Sequence, residues 1–173
     1  MAFDLAGIAA VRIFGWMFDL ECLHSDMSTY LGLHCHLIFS TKEREPSIVP
    51  SLRPRLHEYL GGLVRGLEGQ AQGVGGTADH VHLLVSLKAT HSLSNFMREL
   101  KKTSSAWMHR EGERKQFSWQ EGYCALTVSP SGRRAVRDYI ANQETHHRVK
   151  GFREELVELL NKAGVPYEEG YLK

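Results

Sequence analysis

The chain has 173 residues, 42% of them apolar and 24% charged, and its 21 Lys and Arg against 20 Asp and Glu give a net charge of +1. A chain of this length can bury the core of about one domain without a stabilising metal or disulfide. The near-zero net charge excludes a long-range field that would draw the whole surface to nucleic acid or anionic lipid. Such a partner would need a local basic patch.

The cysteines and the N-terminal segment bear on cellular location. Cys22, Cys35 and Cys124 are odd in number, far apart and without a C-x-x-C pair, which predicts free thiols in a reducing cytoplasm. Residues 1–26 are moderately apolar but too short and too interrupted by charge to span a bilayer. We expect an N-terminal extension there, either a disordered arm or a misassigned start that precedes Met27.

The first half of the domain alternates strand and helix patterns. β-Branched and aromatic residues over 29–41 predict a strand. Leucines at three- and four-residue steps over 52–67 predict a helix. Two further strands, over 71–77 and 80–87, are separated by a tight turn at 78–79 and predict a hairpin.

The second half continues with a helix over 95–109 that Ser94 would cap and a strand over 117–129. A helix beginning near Ser131 and an amphipathic helix over 152–163 follow. The order β-α-β-β-α-β-α-α predicts an α+β fold.

The expected architecture is a single ferredoxin-like (RRM-like) domain with an antiparallel sheet, helices on one face and a C-terminal helical addition. We place this domain at 27–150, with the helix and tail of 151–173 packed on it. No repeat or linker divides the chain.

Two short patterns could carry chemistry. His80 and His82 lie one residue apart in a strand, so their imidazoles share a face and could bind one metal ion; the alternative is hydrogen bonding on a solvated strand face. Tyr139 and Gln143 lie one helical turn apart, which could place a nucleophile beside a metal ligand; the alternative is a tyrosine at the edge of the core and a surface amide.

Together with their surroundings, these patterns resemble a known family. The strand DHVHLLVSL, the approach FSWQEGY and the helix VRDYIANQETHH, in this order, are similar to the single-tyrosine HUH transposases, which include the IS200-like and REP-associated tyrosine transposases. The segments HLIFSTKER and GVPYEEGYL extend the resemblance over 29–173. It implies that His80 and His82 bind a divalent cation, that Gln143 is the third ligand and that Tyr139 is the nucleophile.

The resemblance also implies a reaction and its partners. The expected substrate is single-stranded DNA marked by a hairpin, cut through a 5′-phosphotyrosine intermediate with Mg²⁺ or Mn²⁺ as cofactor. The family works as a homodimer whose first strands join the two sheets, often with the tyrosine helix of one subunit serving the other. No nucleotide cofactor is expected, since the sequence has no Walker motif, and no membrane partner is expected.

DNA contacts should come from a local excess of positive charge. Between residues 98 and 137 the chain has nine Lys or Arg and four Glu, which is also typical of a solvated face. Trp107, Trp119 and Tyr123 could stack on unpaired bases, although core packing is the alternative for Trp107. The basic residues predicted to bind DNA are Arg98, Lys101, Lys102, Arg133, Arg134 and Arg137.

Two other histidine pairs have less defined roles. His34 and His36 form a second H-x-H pattern, interpreted as structural, with a second metal site as the alternative. His146 and His147 end the tyrosine-bearing helix and could approach the metal or DNA, or interact with the helix dipole.

Two functions compete with a transposase. The first is a domesticated or inactive relative that binds structured single-stranded DNA or RNA. The second is an unrelated metal-dependent phosphoesterase in which Tyr139 is structural; hydrolysis without a protein adduct would indicate it.

Overall fold

The structure is a computed structural model that describes residues 30–111, 116–146 and 151–171. One compact unit begins at Leu31. The extension predicted for 1–26, with Cys22, lies outside the described residues.

The described chain forms one four-stranded sheet with the order β2-β3-β1-β4, and every neighbouring pair is antiparallel. This order and the β-α-β-β-α-β succession confirm the predicted ferredoxin-like α+β fold. The strands are β1 (Leu33–Ser40), β2 (Gln70–Gly76), β3 (His80–Leu87) and β4 (Cys124–Thr127).

Helices cover both faces of this sheet. The first two pack together over the main apolar core, and the later ones lie on the opposite face, where the C-terminal helical addition is found. The helices are α1 (Arg53–Gly66), α2 (Leu93–Glu111), α3 (Arg133–Ala141), α4 (Gln143–His146) and α5 (Phe152–Ala163), with short 3₁₀ turns at Lys42–Arg44 and Glu169–Tyr171. None of the described helices is long and apolar enough to cross a membrane.

Strand β3 is buried on both faces, which explains its nearly continuous apolar sequence. Successive side chains of a strand point to opposite faces. Val81, Leu83 and Val85 therefore join the core beneath α1 and α2, whereas His80 and His82 face the later helices. The two histidines are therefore buried between the sheet and the later helices, and not on a solvated strand face.

The fourth strand is much shorter than the predicted 117–129. Phe117 and Trp119 turn into the core instead, where the Trp119 ring meets Phe39 edge-on at 4.7 Å and the indole donates a hydrogen bond to Ser104 Oγ at 2.9 Å. Tertiary packing of these aromatic rings thus overrides the strand propensity of the segment.

Two helix boundaries also differ from prediction. Helix α2 begins at Leu93, and Ser92 lies at its start in place of the predicted Ser94. The Ser92 Oγ accepts a hydrogen bond from the amide of Asn95, and its carbonyl oxygen accepts one from the amide of Phe96. The predicted continuous helix from Ser131 is interrupted at Asn142, whose φ of −103° and ψ of 19° separate α3 from α4.

Helix α3 approaches strand β2 closely because Gly75 has no side chain. A Cβ atom at this position would lie 2.2 Å from the carbonyl oxygen of Ile140 and 2.9 Å from its Cγ2. The glycine therefore fixes how near Tyr139 can come to the sheet.

Strand β1 lies inside the sheet. Its residues from Cys35 to Ile38 pair with β3 on one side and with β4 on the other. The joining of two sheets through their first strands, which the family resemblance implied, is therefore wrong for this segment. The edges of the described sheet are β2 and β4.

Candidate metal and nucleophile site

The site is built on two adjacent buried imidazoles. His80 and His82 are both fully inaccessible to solvent, and their ring centroids lie 5.0 Å apart. They project from β3 toward α3 and α5 because strand side chains two residues apart share a face. The predicted common face of the pair is confirmed.

His80 is oriented through its Nδ1 atom. This nitrogen donates to Asp79 Oδ1 at 2.7 Å, and the Thr77 hydroxyl donates to the same oxygen at 2.9 Å. Arg44 binds the other carboxylate oxygen at 2.6 Å. Burial alone would raise the pKa of Asp79, but these hydrogen bonds and charges hold that pKa well below its usual range.

His82 has a different partner. Its Nδ1 atom lies 2.9 Å from Nε2 of His36, which is itself buried. Burial lowers the pKa of His36 to about 4, so its ring is neutral at pH 7 and can accept a hydrogen bond. His36 thus has the structural role that the sequence indicated, and it serves the same cluster as His82.

Tyr139 and Gln143 converge on one carboxylate despite the helix break between them. The Tyr139 hydroxyl donates to Oε1 of Glu155, and Gln143 Nε2 donates to the same oxygen at 3.0 Å. Gln143 Oε1 lies 3.4 Å from Nε2 of His80. The structure therefore brings all four predicted site residues together.

Glu155 is the site residue that sequence reasoning missed. Its Oε2 atom lies 3.8 Å from Nε2 of His82 and 4.0 Å from Nε2 of His80, and these side chains form a cluster that could hold a metal ion. Burial, with the charges of Asp79 and Glu158, raises the pKa of Glu155 to about 7. A signal was available, since Glu155 occupies the apolar stripe of α5 that also holds Phe152 and Leu160.

Phe152 closes the cluster on one side. Its ring centroid lies 4.5 Å from that of His80, and the Arg44 guanidinium sits 4.7 Å above the same ring. Arg44 therefore contacts both groups that flank His80, namely Asp79 and Phe152.

Three of the predicted DNA-binding residues border a groove on the α3 side of the sheet. Arg133, Arg134 and Arg137 are exposed and line about 470 Å³ together with Gln70 and Gln72 of the edge strand β2. Such a groove combines positive charge with amide hydrogen-bonding groups.

The other predicted basic residues lie on α2, over the opposite face of the sheet. Arg98 and Lys102 are exposed there. Lys101 has a different task, because its ammonium donates to the carbonyl oxygens of Gln120, Glu121 and Gly122. Burial lowers its pKa. Because its ammonium is engaged by these carbonyl groups, we propose that Lys101 has a structural role in place of the predicted DNA contact.

Replacing Lys101 with Met should cost about 1–3 kcal/mol of stability, because three carbonyl groups lose a charged donor. Thermal or urea unfolding measures this loss, while DNA affinity should stay unchanged. The control is Lys102→Met on the exposed face, which should alter stability by less than about 0.5 kcal/mol. The reverse pattern would return Lys101 to the DNA-binding surface.

The remaining predicted groups are placed as follows. Trp107 and Trp119 are core residues and cannot stack on bases, whereas Tyr123 is 40% exposed. His34 binds Ser86 Oγ at 2.7 Å. Cys35 and Cys124 are free thiols. His147 and the side chain of His146 lie outside the described residues.

Comparison with known proteins identifies the class. The family model described as "Transposase IS200 like" matches residues 29–143, and the chain belongs to this family. It is 31% identical to the ISDra2 transposase TnpA of Deinococcus radiodurans over 119 residues, which cover 64% of this chain and 84% of that relative.

Two solved structures share the fold. One is the 1.90 Å crystal structure of a Deinococcus radiodurans R1 protein designated a transposase, with a TM-score of 0.55, 27% identity, and coverage of 69% of this chain and 97% of that one. The other is a REP-associated tyrosine transposase bound to a REP hairpin, with a TM-score of 0.53, 20% identity, and coverage of 70% and 74%. Both agree with the antiparallel sheet and helices of this transposase.

Proposed function

We propose that this transposase cleaves and rejoins single-stranded DNA at hairpin-marked ends, with a divalent cation and a 5′-phosphotyrosine intermediate on Tyr139. The observation that carries the proposal is the convergence of the Tyr139 hydroxyl and the two buried imidazoles on Glu155. A helix-borne nucleophile thus lies beside a group of metal-binding atoms.

The donor atoms fit a divalent cation. His80 and His82 supply imidazole nitrogens and Gln143 supplies an amide oxygen, a mixed set that suits Mn²⁺ or Mg²⁺. When bound, the cation would polarise a nonbridging phosphate oxygen and offset the negative charge that develops on it.

Tyr139 performs the bond exchange. Its phenolic oxygen attacks the phosphorus atom, the bond from phosphorus to the 3′ oxygen breaks, and a 5′-phosphotyrosine and a 3′-hydroxyl remain. The proton lost by the tyrosine is balanced by the proton that the departing 3′ oxygen gains. Attack by another 3′-hydroxyl reverses the step and reseals the strand without a nucleotide.

The DNA strand would run along the groove lined by Arg133, Arg134 and Arg137, since these residues lie on the helix that carries Tyr139 or at its start. Phosphate contacts by arginine fix the position of a strand without reading its sequence. A neighbour of the same fold is described as bound to a REP hairpin, which supports hairpin DNA as the ligand class.

We also propose that the active form is a homodimer, as the family resemblance implies, although β1 is already paired on both sides and would not join the two sheets. A monomeric mass at micromolar concentration, together with full cleavage activity, would contradict it.

The test uses single-stranded hairpin DNA from the flanks of the gene, labelled at either end, with Mn²⁺, Mg²⁺ or EDTA. We expect a covalent adduct on a denaturing gel that needs the cation and carries only the fragment downstream of the cut. Binding without an adduct in either metal would favour the inactive, DNA- or RNA-binding relative. Metal-dependent cleavage without an adduct would favour a phosphoesterase.

A further inference from the structure

We propose that Glu155 of α5 is a further ligand of the cation, so that the C-terminal helix completes the metal site. This inference rests on the proposed function, because it assigns one more residue to the same cation. It concerns a residue that no spacing motif in the sequence marks.

The first argument is the hydrogen bonding of His80. An ionised carboxylate can only accept hydrogen bonds, so the 2.7 Å contact with Asp79 places the proton of His80 on Nδ1. The other ring nitrogen, Nε2, is directed at the proposed cation site, where it lies 3.4 Å from Gln143 Oε1 and 4.0 Å from Glu155 Oε2.

His82 repeats this arrangement. Its Nδ1 is hydrogen-bonded to Nε2 of His36 at 2.9 Å, and its Nε2 faces Glu155 Oε2 at 3.8 Å. A histidine that binds a metal is ordinarily held through its other ring nitrogen by a hydrogen bond, and both imidazoles have such a partner at Nδ1.

The cluster therefore gathers electron-pair donors around one point. Two imidazole nitrogens, an amide oxygen and a carboxylate oxygen, all of them atoms that bind divalent cations in proteins, converge there. The Nε2 atoms and the carboxylate oxygen lie within 4.8 Å of one another. Ligands about 2.1–2.3 Å from one ion are separated by roughly 3–4.4 Å, so a small closure of these side chains would suffice.

The two oxygens of Glu155 have separate tasks. Oε1 accepts the hydrogen bonds of Tyr139 and Gln143, while Oε2 faces the histidines. One carboxylate thus connects the nucleophile to the cation. It also supplies the negative charge that Mg²⁺ and Mn²⁺ prefer over neutral ligands alone.

The experiment measures Mn²⁺ binding by calorimetry or electron paramagnetic resonance in the full chain without DNA. Glu155→Gln should raise the Kd for Mn²⁺ by tenfold or more, and Glu155→Asp should raise it less.

The matched control is Glu158→Gln, which removes the same charge one turn further along α5, where Glu158 pairs with Lys162 at 2.9 Å. At pH 8, above the pKa of Glu155 of about 7 to which the charge of Glu158 contributes, this control should leave the Kd within about twofold of the parent. Circular dichroism melting verifies that each variant is folded, and a smaller rise of melting temperature with Mn²⁺ in Glu155→Gln gives a second readout.

Unchanged Mn²⁺ affinity in Glu155→Gln would overturn this inference alone, provided that His80→Ala still loses binding and the parent still forms the adduct. Equal losses in Glu155→Gln and Glu158→Gln would also overturn it, because they would indicate a general effect of charge. Failure of the parent to form an adduct would overturn the proposed function instead.

Discussion

Tyr139→Phe is expected to reduce the covalent DNA adduct to less than about one thousandth of the parent level, while hairpin binding stays within about twofold. The substitution removes the only oxygen of this side chain and keeps its ring, which lies 6.2 Å from the His36 ring and 5.9 Å from the His82 ring. The packing of α3 should therefore persist. Denaturing gels measure the adduct, and native gels or fluorescence anisotropy measure binding.

The matched control is Tyr123→Phe, which removes the same hydroxyl from an exposed tyrosine outside the cluster. This variant should form the adduct at the parent rate. An adduct that persists in Tyr139→Phe, with the phosphate mapped to another residue, would refute the assignment of the nucleophile.

The second large effect is expected from Gly75→Ala. The new methyl group would lie 2.2 Å from the carbonyl oxygen of Ile140, well inside contact distance. Because this oxygen belongs to the backbone, no side-chain rotation can relieve the clash, and helix α3 as a whole must shift away from β2. We expect a loss of about 1–3 kcal/mol in stability. A displacement of Tyr139 by about 1 Å should slow adduct formation by about a hundredfold.

Gly73→Ala is the control for this substitution, because it adds the same methyl group two residues earlier on the same strand. There the nearest atom is Cγ of Arg137 at 3.3 Å, which belongs to a flexible side chain. Its stability and adduct formation should remain close to the parent. If the two variants behaved alike, the close approach at Ile140 would not determine the position of α3.

Much of the fold could be predicted from local patterns in the amino-acid sequence. The bounds of β3 and α5 were predicted correctly, since a turn precedes β3 at Asp79 and Gly164 ends α5 in the left-handed conformation at φ 65°. The length of β4 was wrong. The segment before it is held by distant groups, namely the aromatic contacts of Trp119 and the ammonium of Lys101, which local propensity does not report.

Part of the candidate site could likewise be predicted from local sequence patterns, whereas the rest depends on tertiary packing. The proximity of His80 and His82, and that of Tyr139 and Gln143, follow from the periods of strand and helix. The contribution of Glu155 does not, because it depends on the packing of α5 against a strand more than sixty residues earlier in the chain. The pairing of His36 with His82 likewise depends on the antiparallel register of β1 and β3, which places Ile38 opposite His82.

The position of Phe152 and Glu155 determines how far the protein can be truncated from its C-terminal end without losing part of the candidate site. The match to the family ends at residue 143, before α5 begins at Phe152. A protein shortened to that boundary would keep the sheet, the histidines and the tyrosine, but it would expose His80 to water and remove the carboxylate that holds the Tyr139 hydroxyl. The smallest useful unit for expression should therefore extend beyond Gly164, because the candidate site of this chain includes residues that lie after the family match.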